Sequence, residues 1–351
     1  MKMKKNKFHF EWFNNWEEIL DASFIERWDE TYNSSINRDV FQEPQLNLAW
    51  IKTYLPIRTI KPIFCIAKYG DVFFFWPLIK WHQNYKNAFL KKIIPVGYSD
   101  FDYHDPLTNC ESENLYSEFI EELIAEISKN YQFDKIELNG LKTKFNHKNL
   151  ILEKEFCPYL NFSSINTEDE LFLKLSTKLR GDIKRQIKKI EDNGKLELIA
   201  LSNIEDININ LNTFLDLHSK KWPNSYKAPK FHINLIENGL KCQRLHFSIL
   251  KCGKEIISWH LGFIDNTTLY YYMPIINDKW KNYSPGKIHL FFLNKFAIEN
   301  KLLIFDHLRG EENYKNGWTN EKKKLYILEI YSQNILSKIK ISINKLKNRL
   351  Y

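Results

Sequence analysis

Residues 284–318 read SPGKIHLFFLNKFAIENKLLIFDHLRGEENYKNGW, and this stretch decides the fold. Ser284-Pro285-Gly286 is a turn signal, and Pro285 suits the first turn of a helix. The apolar residues after it predict a buried helix. Leu302–Phe305 then reads as a short strand closed by Asp306, and a polar loop follows with Gly310, Glu311, Tyr314, Lys315 and Trp318. Loops that follow strand ends are where α/β proteins place ligand chemistry.

Upstream, strands are expected near 244–251, 255–264 and 267–275, joined at Cys252-Gly253 and Asp265-Asn266. Before them lie helices near 204–221 and 230–240, a strand KLELIAL, and a long basic helix from Thr167 that Asn193-Gly194 ends. Downstream come a short helix from about 311, a strand over 323–331 and a terminal helix. Three antiparallel strands followed by a β-α-β crossover make a mixed, mostly antiparallel sheet flanked by helices. The first half repeats this outline. It has helices over 14–32 and 41–55, a hairpin at Tyr69-Gly70-Asp71, an amphipathic helix over 111–130 and a strand DKIELNG. The pattern loosens over 155–167, so the expected domains are 1–160 and 161–351, the second carrying the terminal helix.

With 44% apolar residues among 351, the chain can fill two cores and is not a disordered protein. A net charge of +8 is modest at this length and reads as a solvated surface. Cys65, Cys110, Cys157, Cys242 and Cys252 show neither a CxxC pair nor Cys/His metal spacing. They predict buried thiols in a reducing compartment, and no metal is expected. The basic N-terminus runs into FHFEWFNNWEEIL, whose Glu11, Glu17 and Glu18 exclude a signal-peptide core. No apolar stretch approaches the length of a membrane span, so a cytoplasmic protein is expected.

LSTKLRGDIKRQIKKIEDNG, the 284–318 stretch and VGYSDFDYHDPL together resemble the cellulose-biosynthesis acetyltransferase-like group of the GNAT superfamily, relatives of the Fem-type peptidyltransferases. The resemblance covers most of 40–320 and is strongest over 170–318. It implies two tandem GNAT-like domains and acyl transfer from acyl-CoA, acetyl-CoA first, to an amine, often in surface-polysaccharide assembly. The family's Gly, acid, Tyr and Lys fall on Gly310, Glu311, Tyr314 and Lys315, and its strand-end Asp on Asp306. Ser284, Pro285, Gly286 and Lys287 stand at the phosphate-loop position, and His218 and Trp222 match a His-Ser-x-x-Trp helix end that lines the acceptor pocket. The implied acceptor is a small-molecule amine, such as an amino sugar on a nucleotide or lipid carrier.

The chemistry asked of these residues is specific. A helix start offers unpaired N–H groups and the positive end of a dipole to a diphosphate. Gly286 would allow close approach, and Lys287 would add charge. An amine attacks a thioester only when neutral, and a lysine-like amine at pH 7 is almost wholly protonated. A general base is therefore required, with Asp306 or Glu311 first and His260 as a third candidate. His260 alternates with Trp259 on its strand and so faces the other side of the sheet. Tyr314 could protonate the leaving thiolate, and Lys315 could hold a phosphate or carboxylate of the acceptor. Backbone N–H groups of 267–275 would hold the oxyanion. Asp100 and Asp102, in an acidic loop, could bind sugar hydroxyls or an amine, or simply cap turns.

The basic helix carries Lys178, Arg180, Lys184, Arg185, Lys188 and Lys189 around much of its cylinder, which reads as a solvated face. Aromatics sit in apolar patterns rather than among these charges, so nucleic acid is not expected as a partner. The alternatives are a Fem-type transfer from aminoacyl-tRNA and a non-catalytic carbohydrate-binding or scaffold protein. The tail places Ile335, Ile339, Ile343, Leu346 and Leu350 on one stripe flanked by basic residues. Packing of this stripe on the domain is the first expectation, and peripheral membrane contact the second.

Overall fold

The computed structural model describes residues 7–310, 312 and 314–350. The chain forms two compact units, one of residues 7–154 with 325–350 and one of 155–324.

The first unit opens with β1 (His9–Phe13), a strand that the sequence reading missed. Next is α1 (Trp16–Ile19), followed by α2 (Ala22–Ser34), where Phe24, Trp28 and Tyr32 recur every four residues and are buried. α3 (Pro44–Tyr54) begins on Pro44 and is buried nearly all round. The strands β2 (Thr59–Pro62), β3 (Phe64–Tyr69), β4 (Val72–Trp76), β5 (Leu78–His82), β6 (Lys91–Pro95) and β7 (Leu107–Thr108) follow. Then come α4 (Glu113–Asn130) and β8 (Lys135–Leu141). β1, β3, β4 and β7 form one antiparallel sheet. In the second sheet β2, β5 and β6 are antiparallel neighbours, and β6 and β8 run parallel through the α4 crossover. Tyr116, Phe119, Ile120, Leu123 and Ile127 of α4 bury against both sheets, with Phe119 stacked on Phe74 at 4.1 Å.

β9 (Leu150–Asn161) lies where the sequence pattern loosened; its residues from 155 onward belong to the second unit. α5 (Glu168–Lys174) and α6 (Thr177–Glu191) come next, the latter capped by Ser176, whose hydroxyl accepts from the Leu179 amide at 3.3 Å. They are followed by β10 (Leu196–Leu201), α7 (Ile204–Lys221), α8 (Phe231–Lys241), β11 (Leu245–Cys252), β12 (Glu255–Asp265) and β13 (Thr268–Ile276). α9 (Pro285–Glu299) and β14 (Ile304–Asp306) complete the crossover. The strand order is β10-β11-β12-β13-β14-β9, antiparallel except for the parallel pair β13–β14. One face of the sheet packs on α5, α6 and α9, and the other on α7 and α8.

β15 (Lys322–Tyr331) and α10 (Ile335–Leu350) end the chain. They correct the expected division. Beyond 324 the chain belongs to the first unit, because β15 pairs there with β8 (Leu328 with Leu138, Ile330 with Ile136), and Ser337 of α10 hydrogen-bonds Asp134 at 2.5 Å. The change of unit falls at 155 rather than 160. The helix expected from about 311 is, among the described residues, a single 3-10 turn over Lys315–Gly317.

Candidate functional site

The site begins with two neighbouring strands that part. β13 pairs with β14 only over Thr268–Ile304, Leu269–Phe305 and Tyr270–Asp306. Beyond that point β13 stays with β12, while the chain after Asp306 stays with β9. The His307 amide donates to Pro158 O at 2.9 Å and the Gly310 amide to Phe156 O at 3.2 Å. A fork opens between them, along the edge of Tyr271–Ile276, which has no ladder partner on that side among the described residues.

A bulge sits at the same level. Leu261 faces Met273 but Phe263 faces Tyr270, so Tyr271 and Tyr272 oppose the single residue Gly262. The bulge switches faces along β13: Leu269 and Tyr271 lie in the α9-side core, Met273 and Ile275 in the α7-side core. Gly262 is needed here by close approach. A Cβ there would lie 2.3 Å from His260 Cε1 and 2.5 Å from Tyr270 O.

α9 opens beside the end of β13. Ser284 is left-handed (φ 53°, ψ 47°) and supplies no side-chain cap. The Lys287 and Ile288 amides turn back to Ser284 O at 3.0 and 3.3 Å, and Pro285 has no N–H. Only the Gly286 amide donates to nothing among the described residues, and it stands at the positive end of the helix. A Cβ on Gly286 would meet Ile276 Cγ2 at 3.2 Å. The start of α9 therefore offers one uncommitted N–H, at a residue that carries no side chain of its own. Lys287 does not add its charge there as expected, because its ammonium pairs with Asp182 of α6. Lys287 and Arg185 in turn hold the Asp182 carboxyl below the usual carboxylate range.

The polar loop after β14 turns out to be mostly scaffold. Asp306 is fully buried; its Oδ1 accepts from the Leu308 amide at 2.9 Å and its Oδ2 from Lys323 Nζ at 2.6 Å. With both oxygens engaged, it anchors the loop. Leu308 is left-handed (φ 58°), and Gly310 has φ 117° with Glu312 Oε2 2.5 Å from where a Cβ would stand. Lys315 is almost completely buried. Its ammonium donates to Arg309 O at 3.0 Å, reaches Leu308 O and Gly310 O at 3.4 Å, and pairs with Glu312 at 2.8 Å. It thus clamps the loop rather than facing an acceptor. Tyr314 is half-exposed, and partial burial followed by the Glu312 charge raises its phenol. Trp318 packs in the core, and Glu311 lies outside the described residues.

What the site does hold is a set of neutral imidazoles. His260 is fully buried on the α9 face, opposite Trp259 as expected, and stacks on Tyr271 at 4.6 Å. His307, the residue after Asp306, lies 6.1 Å from the Tyr271 ring and 5.0 Å from Phe305. Both nitrogens of His260 and both of His307 are buried without a hydrogen-bond partner. The same holds for His246, 6.1 Å from His260. By contrast, His289 of α9 is held by Ser248 Oγ (3.0 Å) and Ser258 Oγ (2.8 Å). Burial, with the Lys315 charge behind it, lowers His307 to about 3, and burial lowers His246 to about 4. Burial also drives His260 well down and raises Tyr271, whose phenol further feels Tyr314 and Glu312.

The structure does not bring the other expected residues to this place. His218 lies tilted against Trp222 at 4.6 Å and shares a hydrogen bond with Tyr226 at 3.2 Å, in the layer on the opposite face of the sheet from His260. Asp100 and Asp102 lie in the first unit, where Asp100 accepts from Trp50 Nε1 at 2.9 Å. The first unit also holds an open cavity of about 1060 Å³ lined by Lys91, Asp134, Glu329 and Lys340. Asp134 there is already taken by Ser337, Lys340 and the Lys91 amide. His307, His246, His289 and Tyr271 were missed from the sequence. A signal existed: each follows strand or helix periodicity at an apolar-face position where a polar side chain is costly. None of the five cysteines is in a disulfide; Cys65, Cys157 and Cys252 are buried and Cys110 and Cys242 half-buried. Among the described residues no three His, Cys, Asp or Glu side chains group as a metal would need.

A family model described as an acetyltransferase (GNAT) domain matches residues 177–316. The match therefore takes in α6, the fork and the polar loop. The sequence matches no curated protein. Among solved structures, FemX aligns with a TM-score of 0.58 at 10% identity, covering 86% of this chain and 95% of its own. The C-terminal domain of an Agrobacterium fabrum protein designated a lysylphosphatidylglycerol synthetase aligns at 0.57 and 10% identity, covering 92% of this chain and 97% of its own. A tandem GNAT protein from the clavulanic acid biosynthesis pathway aligns at 0.51 and 6% identity over 93% of this chain and all of its own. These likenesses show the fold, two GNAT-like domains in tandem. The GNAT domain matched over residues 177–316, together with this fold, supports an acyltransferase.

Proposed function

We propose that the second unit transfers an acyl group from acyl-CoA to a primary amine, with the diphosphate at the Gly286 amide and the thioester in the fork between β13 and the chain after β14. The observation that carries this reading is the parting of the strands directly after the Tyr270–Asp306 pair, beside the uncapped start of α9. The unpaired β13 edge offers backbone N–H groups to a carbonyl oxygen as charge develops on it. The amine nitrogen bonds to the thioester carbon, the C–S bond breaks, and the thiolate leaves with a proton from Tyr314. The proton lost by the amine passes to a neutral imidazole. His307 and His260, one on each side of Tyr271, have free nitrogens for this, whereas both oxygens of Asp306 are committed.

The finer reading follows the sequence resemblance to the cellulose-biosynthesis acetyltransferase-like group. The acyl group is acetyl, and the acceptor is an amino sugar on a nucleotide or lipid carrier, used in the cytoplasm for a surface polysaccharide. Calorimetry of the full chain with a panel of acyl-CoAs, then thiol release across amino sugars and their nucleotide-linked forms, tests both levels. Acetyl-CoA binding with amine-dependent thiol release is expected. No heat with any acyl-CoA and no thiol release would overturn the assignment; release only with a non-sugar amine would overturn the finer reading alone.

A further inference from the structure

The stripe on α10 was expected to pack on its domain, and it does the reverse. Ile335, Leu336, Ile339, Ile343 and Leu346 are 74, 67, 51, 43 and 59% exposed. The polar side of the helix faces inward. Ser337 is buried against Asp134, and Asn344 and Ile341 are half-buried. At about 100° per residue, the five exposed residues span one narrow band roughly opposite Ser337 and Asn344. Lys338 and Lys345 border that band on one side and Lys340 and Lys347 on the other. From Ser332 to Tyr351 there is no acidic residue.

A second element joins this face. Lys347 Nζ donates to Tyr85 O at 2.9 Å and Lys340 Nζ reaches Phe89 O at 3.5 Å, which ties α10 to the 84–90 loop. In that loop Tyr85 and Phe89 are 62 and 63% exposed. Ala88 and Phe89 are both left-handed at φ 53°, a costly conformation for residues with side chains. Strain that holds a phenylalanine out in water, next to an outward isoleucine and leucine band, marks a face built to leave water.

We propose that α10, with Tyr85 and Phe89, docks the protein on an anionic lipid surface. A helix with an apolar band between two lysine rows lies in the plane of a bilayer, its band among the acyl chains and its lysines among anionic headgroups. No helix among the described residues is long and apolar enough to cross a membrane, so the contact is peripheral. A second copy docked band to band would bring four lysine rows together with no acid to answer them, which favours the anionic surface.

The test is co-sedimentation of the full chain with vesicles of phosphatidylcholine alone and with about a third phosphatidylglycerol. Wild type is expected to bind the anionic vesicles at least tenfold more tightly and to lose most of this in high salt. Ile339→Glu with Ile343→Glu, both exposed, should abolish binding, with circular dichroism confirming the fold. Lys338→Ala with Lys345→Ala should weaken it about five-fold per lysine. Equal binding to both vesicle types, no binding by wild type, or binding unchanged in the apolar variant would overturn the proposal. So would a wild-type dimer in sedimentation equilibrium that the Ile339→Glu, Ile343→Glu variant dissolves while no vesicle binding is seen.

Discussion

Each unit links a parallel pair of sheet neighbours through one long helix, β6 to β8 through α4 and β13 to β14 through α9. The two solutions differ at both the helix start and the strand pair. α4 starts on Ser112, whose hydroxyl accepts from the Leu115 amide at 3.3 Å, whereas α9 starts on a left-handed serine with no side-chain cap. On β8, Glu137 takes Lys92 at 2.9 Å, Lys135 at 2.6 Å and the Tyr98 hydroxyl. At the end of β14 the corresponding space borders imidazoles with no partner. A buried polar cluster with every member satisfied rigidifies a core, whereas buried groups left unpaired carry a free-energy cost that a ligand can relieve. Under the proposed function, the first pair is scaffold and the second borders the chemistry.

The most damaging way to break that contrast is to remove an unpaired imidazole. His307→Gln keeps the polarity but removes the imidazole nitrogens that the proposed reaction uses. Turnover is expected to fall about 10²–10⁴-fold, with the Michaelis constant for acyl-CoA changed no more than about threefold. Steady-state kinetics on the full chain decide this, and near-wild-type turnover would return His307 to the core.

The helix start comes next. Gly286→Val adds methyl groups beyond a Cβ that would itself stand 3.2 Å from Ile276 Cγ2. Overpacking and a covered amide should weaken acyl-CoA binding roughly tenfold to a hundredfold. The matching acyl-pantetheine, which lacks the diphosphate, should bind wild type and variant alike. If calorimetry shows both ligands losing equally, the diphosphate is not at α9.

A third contrast is read in acid. Six of the ten histidines lie in the second unit. Burial lowers His218, His289 and His307 to about 3 and His232 and His246 to about 4, and drives His260 well down. A histidine depressed on folding is neutral in the native state but protonates when unfolded below about 6.5. The unfolded state then binds more protons, so stability is full above that pH and falls as pH drops from about 6.5 towards about 3. In the first unit Glu137 shows the opposite balance: burial would raise it, but Lys92 and Lys135 hold it at about 2. Its contribution is present above about 4.5 and is lost only as pH falls towards about 2. Hydrogen exchange followed by mass spectrometry should therefore show β11–β13 losing protection at a higher pH than β6 and β8. Simultaneous loss would refute the difference.

Much of this architecture was legible because apolar periodicity carries it. The crossover of α9 into β14, the β11–β13 meander and α7 all fall within a residue or two of their expected bounds. What was not legible depends on contacts between residues distant in sequence. β9 reads as loose because its half-buried and exposed residues do not alternate cleanly, and β15 and α10 return to the first unit through pairings that no local pattern encodes. The site suffers the same limit. Asp306 and Lys315 sit where a strand end and loop were expected, but only the fold shows that Lys323 and three carbonyls occupy them. His307 follows the strand-end acid in the sequence, and only the fold shows it buried beside Tyr271. Conversely, the α10 stripe was correctly found and assigned the wrong side, since periodicity gives a face but not its direction.

The gentlest test of the contrast is on the first unit itself. Glu137→Gln removes the charge that Lys92 and Lys135 share, although Lys135 keeps Glu329 at 2.5 Å. A carboxyl moved from 4.5 to about 2 contributes on the order of 3 kcal/mol at neutral pH, and breaking a buried pair costs a similar amount. The thermal midpoint should drop and the acid-stability slope between about 4.5 and about 2 should flatten. Turnover by the remaining folded protein should be unchanged, because a satisfied ion cluster neither accepts nor donates a proton during the reaction. If Glu137→Gln instead slowed the chemical step in single-turnover experiments with no change in acid stability, Glu137 would belong to the reaction and the division of labour between the parallel pairs would be reversed.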